Sequence, residues 1–302
     1  MGIFVPFTVK TMLLQQFKLI QLKKSTMKIS QFLSIFFSAF ILLSFTACES
    51  SRDDENSQDT TPGKLQIKFE NGFNNVGDIV LNQTVQTSSN GQKHNFSALK
   101  YVISNIALID ENGNEFKYNE NNPDKGAFIV DQADAVAGII YLNLDGIPKN
   151  NYKKIRFGLG ISQKTYLLGQ DGQAEFWTKA KQKGMSWSWA AGYVFVKLEG
   201  KYGTDAPAKE FMNHTGNMGN TAANNTPDLY REITLSFPTT ARVTGQIRPS
   251  VHILADLNQF LSGDKALTLT TANDMLMGSN QHLVDVTNNL TKMFKVDHVH
   301  ND

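Results

Sequence analysis

Residues 184–200 read GMSWSWAAGYVFVKLEG, and near the end of this stretch Val194, Val196 and Leu198 recur at every second position. Successive side chains of an extended chain point to opposite faces, so this spacing places the three on one side of a strand. The same period recurs in three other triplets: Leu65/Ile67/Phe69, Ile155/Phe157/Leu159 and Ile233/Leu235/Phe237. Alternation of this kind is typical of strands with one face buried.

Four further runs rich in β-forming residues lie at 78–86, 99–110, 127–131 and 139–144. Turn signals such as Asn-Gly and Asp-Gly separate many of them. Helical periodicity is confined to residues 174–183 and about 281–294. Many short strands with few helices predict an all-β fold. We expect an antiparallel β-sandwich of Greek-key type, with one or two short helices near the C-terminus.

The only cysteine of the chain, Cys48, follows an apolar run at residues 29–47 that has a basic flank. A cysteine directly after such a run resembles a bacterial lipobox, in which the thiol carries a lipid. The alternative is a chance cysteine after an ordinary signal peptide. We expect a signal peptide over residues 1–47, with Met27 as its natural start, and a lipidated, solvated tether over residues 48–63.

The acidic residues at 53–55 resemble the export tag of some Bacteroidetes lipoproteins. The expected location is therefore the outer membrane, on its periplasmic or cell-surface face. Residues 64–302 remain for one β domain, a suitable length for this fold class. A formal net charge of +1 with 19% charged residues gives no electrostatic basis for binding nucleic acid.

Enzymatic motifs are missing from the sequence: it has no Gly-x-Ser-x-Gly elbow and no His-Glu-x-x-His pair. With Cys48 lipidated, no thiol remains for a nucleophile or a thiolate metal site. We therefore expect a binding protein rather than an enzyme. Any metal must be held by imidazole, thioether, carboxylate or a less ordinary donor.

Trp187 and Trp189 share one face if their segment is extended, and for an arbitrary protein a core aromatic cluster is the simplest interpretation. The sequence MSWSW at 185–189, followed by GY at 192–193 and LEG at 198–200, nevertheless resembles the hallmark of the methanobactin-associated, MbnP-like family, also known as metallo-mystery pair proteins. Further similarities cover nearly all of the domain: LKYVISNI at 99–106, the strand at 151–160, His214-Thr215-Gly216 and the closing segment at 293–300.

The resemblance implies a periplasmic or surface β-sandwich that binds copper. In relatives, a dihaem peroxidase-type partner of the MauG-like class oxidises a tryptophan to kynurenine, whose aniline nitrogen and ketone can help to hold the metal. Carried over, Trp187 and Trp189 are the candidates for this modification. The chain departs from the family at Asn74 and Asn75, which replace a histidine common in the first turn.

Candidate copper ligands are the soft or borderline donors Met185, His214, His298, His300 and His252. Met185 either binds a soft ion or fills the core. His214 lies in a polar stretch predicted to be a loop, where it is either a ligand or a hydrogen-bonding residue. In an extended chain, His298 and His300 would lie about 7 Å apart on one side, close enough to chelate one ion.

His252 alternates with Val251 and Ile253 and so faces away from them, where it is a solvent-side residue or a ligand. His94 and His282 are predicted at the surface. The alternative to copper binding is a copper-free surface lipoprotein that binds a ligand, glycan or partner. In that interpretation, Trp187, Trp189 and Tyr193 form an aromatic platform.

Overall fold

The computed structural model describes residues 61–74, 77–188, 192–216 and 227–302. The predicted signal peptide, Cys48, most of the tether, and Trp189 lie outside these residues. Within the described ranges, no helix has both the length and the apolar character needed to cross a membrane.

The described residues form thirteen strands and five short α-helices. The strands are β1 (Gly63–Gly72), β2 (Gln86–Thr87), β3 (Lys93–Asp110), β4 (Glu115–Lys117), β5 (Phe128–Asp131), β6 (Ile139–Ile147), β7 (Asn150–Leu159), β8 (Val196–Gly203), β9 (Lys209–Thr215), β10 (Arg231–Val243), β11 (Pro249–Asp256), β12 (Met275–Gly278) and β13 (Phe294–Asn301). The helices are α1 (Pro123–Gly126), α2 (Gln163–Tyr166), α3 (Ala174–Gln182), α4 (Gln259–Ser262) and α5 (Gln281–Leu290).

Two sheets make up the sandwich, which confirms the all-β prediction. The smaller sheet has the strand order β13-β11-β1-β6. The larger has the order β10-β7-β3-β8-β9-β12, with β2, β4 and β5 also paired to the long strand β3. Most neighbours run antiparallel, but β1 with β11 and β9 with β12 run parallel.

The alternating triplet of β1 shows how the sequence builds the core. Leu65, Ile67 and Phe69 are each fully buried. Directly paired residues point to the same face, so Ile67 lies beside Leu142 of β6 and Val251 of β11. Burial of each such side chain stabilises the fold by about 1.5–3 kcal/mol.

A second group of buried residues lies apart from this main core, and we call it the tryptophan cluster because it contains Trp187. Its other buried members are Val102, Ala127, Ile129, Ile161, Phe176, Ala180, Met185, Tyr193, Val194, Phe195, Leu229 and Leu283. Helix α3 contributes Phe176 and Ala180, four residues apart and therefore on one helix face.

Both predicted helices are present. Helix α3 matches the prediction closely, whereas α5 ends at Leu290 and Phe294 begins strand β13 instead of completing the helix. The side chain of Asn280 caps α5 by accepting a hydrogen bond from the Leu283 N–H at 3.1 Å.

Candidate functional site

The segment carrying Met185 and Trp187 is held by backbone hydrogen bonds to α3 and to the residues just before β8. The Met185 N–H donates to the Ala180 carbonyl at 2.7 Å, and the Val194 N–H donates to the Met185 carbonyl at 2.9 Å. The Trp187 N–H donates to the carbonyl of Gly192 at 3.1 Å. These bonds tie the two sides of the loop together and place Met185 and Trp187 in the tryptophan cluster.

The structure brings Trp187 and His214 into contact. Their ring centroids lie 6.2 Å apart with an interplanar angle of 40°. Each residue is 6% exposed. The prediction that His214 lies in a polar loop is wrong, because it belongs to β9. The neighbouring polar residue Asn213 is accommodated inside the fold by donating to the carbonyl of Asp274 at 3.1 Å.

Gly216, which follows His214 by two residues, allows this close packing. A Cβ atom at this position would lie 2.3 Å from the Tyr193 carbonyl oxygen and 3.3 Å from Cζ2 of Trp187. The first separation is shorter than any ordinary contact between carbon and oxygen. The glycine of the His-Thr-Gly motif is therefore required by the approach of the Trp187 loop to the end of β9.

Glu199 of β8 fixes the orientation of the His214 ring. The His214 Nε2 atom lies 2.8 Å from Oε1 of Glu199, and Lys197 Nζ lies 3.2 Å from the same oxygen. The hydrogen bond from His214, together with the Lys197 charge, lowers the pKa of Glu199 to about 2 against the opposing effect of burial. An ionised carboxylate only accepts hydrogen bonds, so Nε2 carries the proton and Nδ1 of a neutral His214 keeps its lone pair.

Three methionines share a face with His214. Strand β12 pairs parallel with β9, placing Met275 beside Met212 and Met277 beside His214. Directly paired side chains lie on the same side of a sheet. Met275 is 55% exposed and Met277 is 48% exposed. We call Met212, Met275 and Met277 the thioether face.

Met185 and the tryptophan cluster are buried, which bears on two predictions. Met185 has no exposed surface and packs in the same cluster as Trp187. Tyr193 is 1% exposed, and its hydroxyl donates to Oε1 of Gln173 at 2.8 Å. A surface platform that includes Trp187 and Tyr193 is therefore wrong, since neither ring is available to a ligand.

The other candidate ligands lie on the smaller sheet, away from β9. His252 of β11 is directly paired with His298 of β13, and their ring centroids are 4.8 Å apart. His298 and His300 lie 4.5 Å apart by the same measure, consistent with the predicted one-sided pair. We call His252, Asp297, His298 and His300 the histidine cluster. The predicted histidine ligands thus divide between two sheets, while Met185 lies in the loop before β8.

The remaining predicted positions have structural roles. His94 is fully buried in β3, so its predicted surface position is wrong; it packs on the rings of Phe73, Phe96 and Phe211. Burial lowers the pKa of His94 to about 4. His282 is partly buried on α5, with Nε2 lying 3.1 Å from Oδ1 of Asn213.

A family model described as MbnP matches residues 62–283, most of the chain. The chain belongs to the MbnP family. The match spans Trp187, His214 and His252 and ends before Asp297 and His298. Asn74, which stands where the sequence analysis expected a histidine, donates its N–H to Asp256 Oδ1 at 2.6 Å.

A similar solved structure is MbnP from Methylosinus trichosporium, with 14% sequence identity and a TM-score of 0.44. The similarity covers 71% of this chain and 82% of that chain. No curated protein sequence matches the chain.

Sequence reasoning missed the thioether face and the part played by Glu199. The signal was present: Met275 and Met277 are two residues apart and so share a face of any strand they form. Their pairing with β9 could not be inferred, because residues 216–274 separate the two strands. Asp297 was also missed, although it directly precedes His298.

Proposed function

We propose that this MbnP-family protein binds copper(I) beside Trp187, with His214 as its nitrogen ligand and thioether sulfur as its soft donor. The observation that carries the proposal is the contact of Trp187 with His214 in a chain of this family. The proposed role is binding rather than catalysis, since imidazole and thioether are ligand types that suit copper(I).

The donor set fits copper(I). Imidazole and thioether both suit this ion, and the chain has no thiol apart from Cys48. Glu199 holds Nε2 of His214, which leaves Nδ1 for a metal. Met277 comes from the strand position paired with His214, and Met185 comes from the same buried cluster as Trp187. These residues would hold the ion, and its affinity for sulfur would favour the monovalent state.

We further propose that a dihaem, MauG-like oxidase converts a tryptophan of the 185–189 motif to kynurenine. Two equivalents of hydrogen peroxide act as the oxidant: cleavage of the indole C2–C3 bond adds two oxygen atoms and releases two water molecules. Hydrolysis of the resulting N-formyl group then releases formate. The product has one carbon fewer and one oxygen more than tryptophan, and it exposes an aniline nitrogen. Trp187 is the candidate that the structure describes, at contact distance from His214.

The site is proposed to act outside the cell's cytoplasm, on an outer-membrane lipoprotein anchored through Cys48. The support is the sequence order of basic flank, apolar run, cysteine and polar tether. Labelling with a fatty-acid analogue would mark the native chain and leave Cys48→Ala unlabelled. Equal labelling of both proteins would refute the anchor.

Copper(I) titration of the full chain tests the site. His214→Ala should weaken copper(I) binding by about ten-fold or more, because the imidazole is the proposed nitrogen ligand. His282→Ala is the matched control, since His282 lies outside the proposed donor set. Unchanged affinity and stoichiometry in His214→Ala would contradict the assignment.

Intact mass of the protein from cells with and without the dihaem partner tests the modification. The mass change that corresponds to the loss of one carbon and the gain of one oxygen should appear only with the partner. Trp187→Phe should abolish this mass change if Trp187 is the residue oxidised. An unmodified mass in the partner's presence would refute the oxidation. The copper site would still be tested independently by the copper(I) titration.

A further inference from the structure

The histidine cluster is created by a register shift between β11 and β13. His252 pairs with His298, but the next residue, Ile253, pairs with Val296. Asp297 is therefore an extra residue on β13, and two residues of that strand oppose one residue of β11. Bulges of this kind redirect side chains, and here the shift places Asp297 and His298 together opposite His252.

Three candidate ligands, two imidazoles and one carboxylate, converge at this point. One ligand atom from each of His252, Asp297 and His298 lies within 4.8 Å of the other two. The His300 ring continues the row, 4.5 Å from that of His298. Ligand atoms bound to one transition ion at about 2.1 Å lie about 3–4 Å apart, so small side-chain rotations would close the set around an ion. His298 and Asp297 are only partly buried, with side-chain exposures of 41% and 46%, and have room to rotate.

The hydrogen bonds within the cluster favour ligation. Nδ1 of His298 lies 2.6 Å from Oδ2 of Asp297, which leaves Nε2 of that ring as the lone-pair atom. A carboxylate bonded to one imidazole nitrogen commonly orients the other nitrogen toward a metal. Asp297 can therefore support the site either as a direct ligand or by orienting His298.

The burial of His252 and the charges around it also favour a metal at the histidine cluster. His252 is 9% exposed, and its Nε2 atom lies 2.8 Å from Oε2 of Glu70. Glu70 and Asp297 supply two negative charges nearby. Lys68, paired with His252 on β1, and Lys295 on β13 are the positive groups that partly offset them.

We propose that His252, Asp297 and His298, with His300 at the rim, form a second metal site for a divalent transition cation such as zinc. Imidazole and carboxylate are the donors that borderline divalent ions prefer, whereas the site beside Trp187 offers sulfur. The two sites lie on different sheets and draw on different residues, so each can be lost without the other.

Zinc titration of the full chain, purified without a polyhistidine tag, tests this proposal against a chromophoric chelator. The wild type should bind one zinc ion at the cluster, and His252→Ala or His298→Ala should weaken binding by about ten-fold or more. Asp297→Asn should weaken binding whether the carboxylate is a ligand or an orienting group. His282→Ala and His214→Ala are the controls and should leave zinc affinity unchanged.

Because His252 is largely buried, circular dichroism and thermal melting must show that its variant is folded. The exposed His298 provides the variant that tests the site without disturbing the core. Zinc affinity should also fall as the pH is lowered, since protons compete for the imidazoles. Absence of zinc binding in the wild type, equal affinity in His298→Ala, or loss of zinc with His214→Ala would each overturn the second site.

Discussion

Replacement of Gly216 by alanine should destabilise the fold and disturb the packing of Trp187. The added Cβ would lie 2.3 Å from the carbonyl oxygen of Tyr193 and 3.3 Å from Cζ2 of Trp187. A normal carbon–oxygen contact is about 3.3 Å, so the backbone at one of the two positions must move by about 1 Å. Insertion of a methyl group into a packed site costs about 1–3 kcal/mol, and a clash with backbone belongs at the upper end.

A loss of about 3 kcal/mol corresponds to a fall in melting temperature of about 6–12 °C for a domain of this size. Urea unfolding of metal-free protein, followed by tryptophan fluorescence, measures the change in free energy directly. Gly72→Ala is the matched control, because a Cβ there meets only the Gly77 carbonyl at an ordinary 3.5 Å. If Gly216→Ala were as stable as Gly72→Ala, the close approach of the Trp187 loop to β9 would be refuted.

Three other substitutions test charges and buried groups. Between pH 6.5 and pH 4 His94 binds a proton in the unfolded state but not in the folded state, where burial lowers its pKa to about 4. The free energy of unfolding should therefore fall by up to about 3 kcal/mol over this pH range. Urea unfolding as a function of pH should show a smaller fall for His94→Phe. Because the pKa of Glu199 is lowered to about 2, its contribution to the free energy of unfolding is present above pH 4.5 and is lost as the pH falls toward 2. In Glu199→Gln the decrease in the free energy of unfolding over this pH range should be smaller by about 2 kcal/mol. An equal decrease in the variant and the wild type would contradict the pairing with His214. The buried Asp131 carboxylate lies 3.1 Å from Lys100 Nζ and 3.2 Å from Lys183 Nζ. Both lysines are partly exposed and Lys183 also pairs with Asp134, so Asp131→Ala should cost about 2–3 kcal/mol in thermal unfolding, and a neutral effect would refute its structural role.

Strand positions could be predicted from the sequence because burial follows a period of two. Leu65, Ile67 and Phe69 alternate and are all buried in β1. The parallel pairing of β1 with β11 could not be predicted, because the strands are separated by most of the domain and alternation gives no direction. Helix α3 was predictable from its own periodicity, whereas the end of α5 depends on Phe294 pairing in β13.

Trp187, His214 and Met185 were identified from the sequence, whereas Met277, Glu199 and the geometry of the site were not. The contact of Trp187 with His214 depends on a loop that folds back between α3 and β9. His94 was misplaced because Lys93 and Asn95 beside it are polar, yet the β3 strand turns the imidazole inward among phenylalanines. A solvent-side position for His252 was one expectation, yet the residue is buried. The bulge at Asp297 has no signature in the local pattern.

The parallel placement of β1 beside β11 also constrains when the chain can fold. Phe69 near the start of the domain reaches its partner Ile253 only after almost the whole polypeptide is available. Contacts between such distant segments form slowly, because a long loop must close before any burial is gained. A nascent chain that ends before Pro249 would leave β1 paired with β6 but without β11, so the smaller sheet cannot be completed until residues 249–256 have been synthesised.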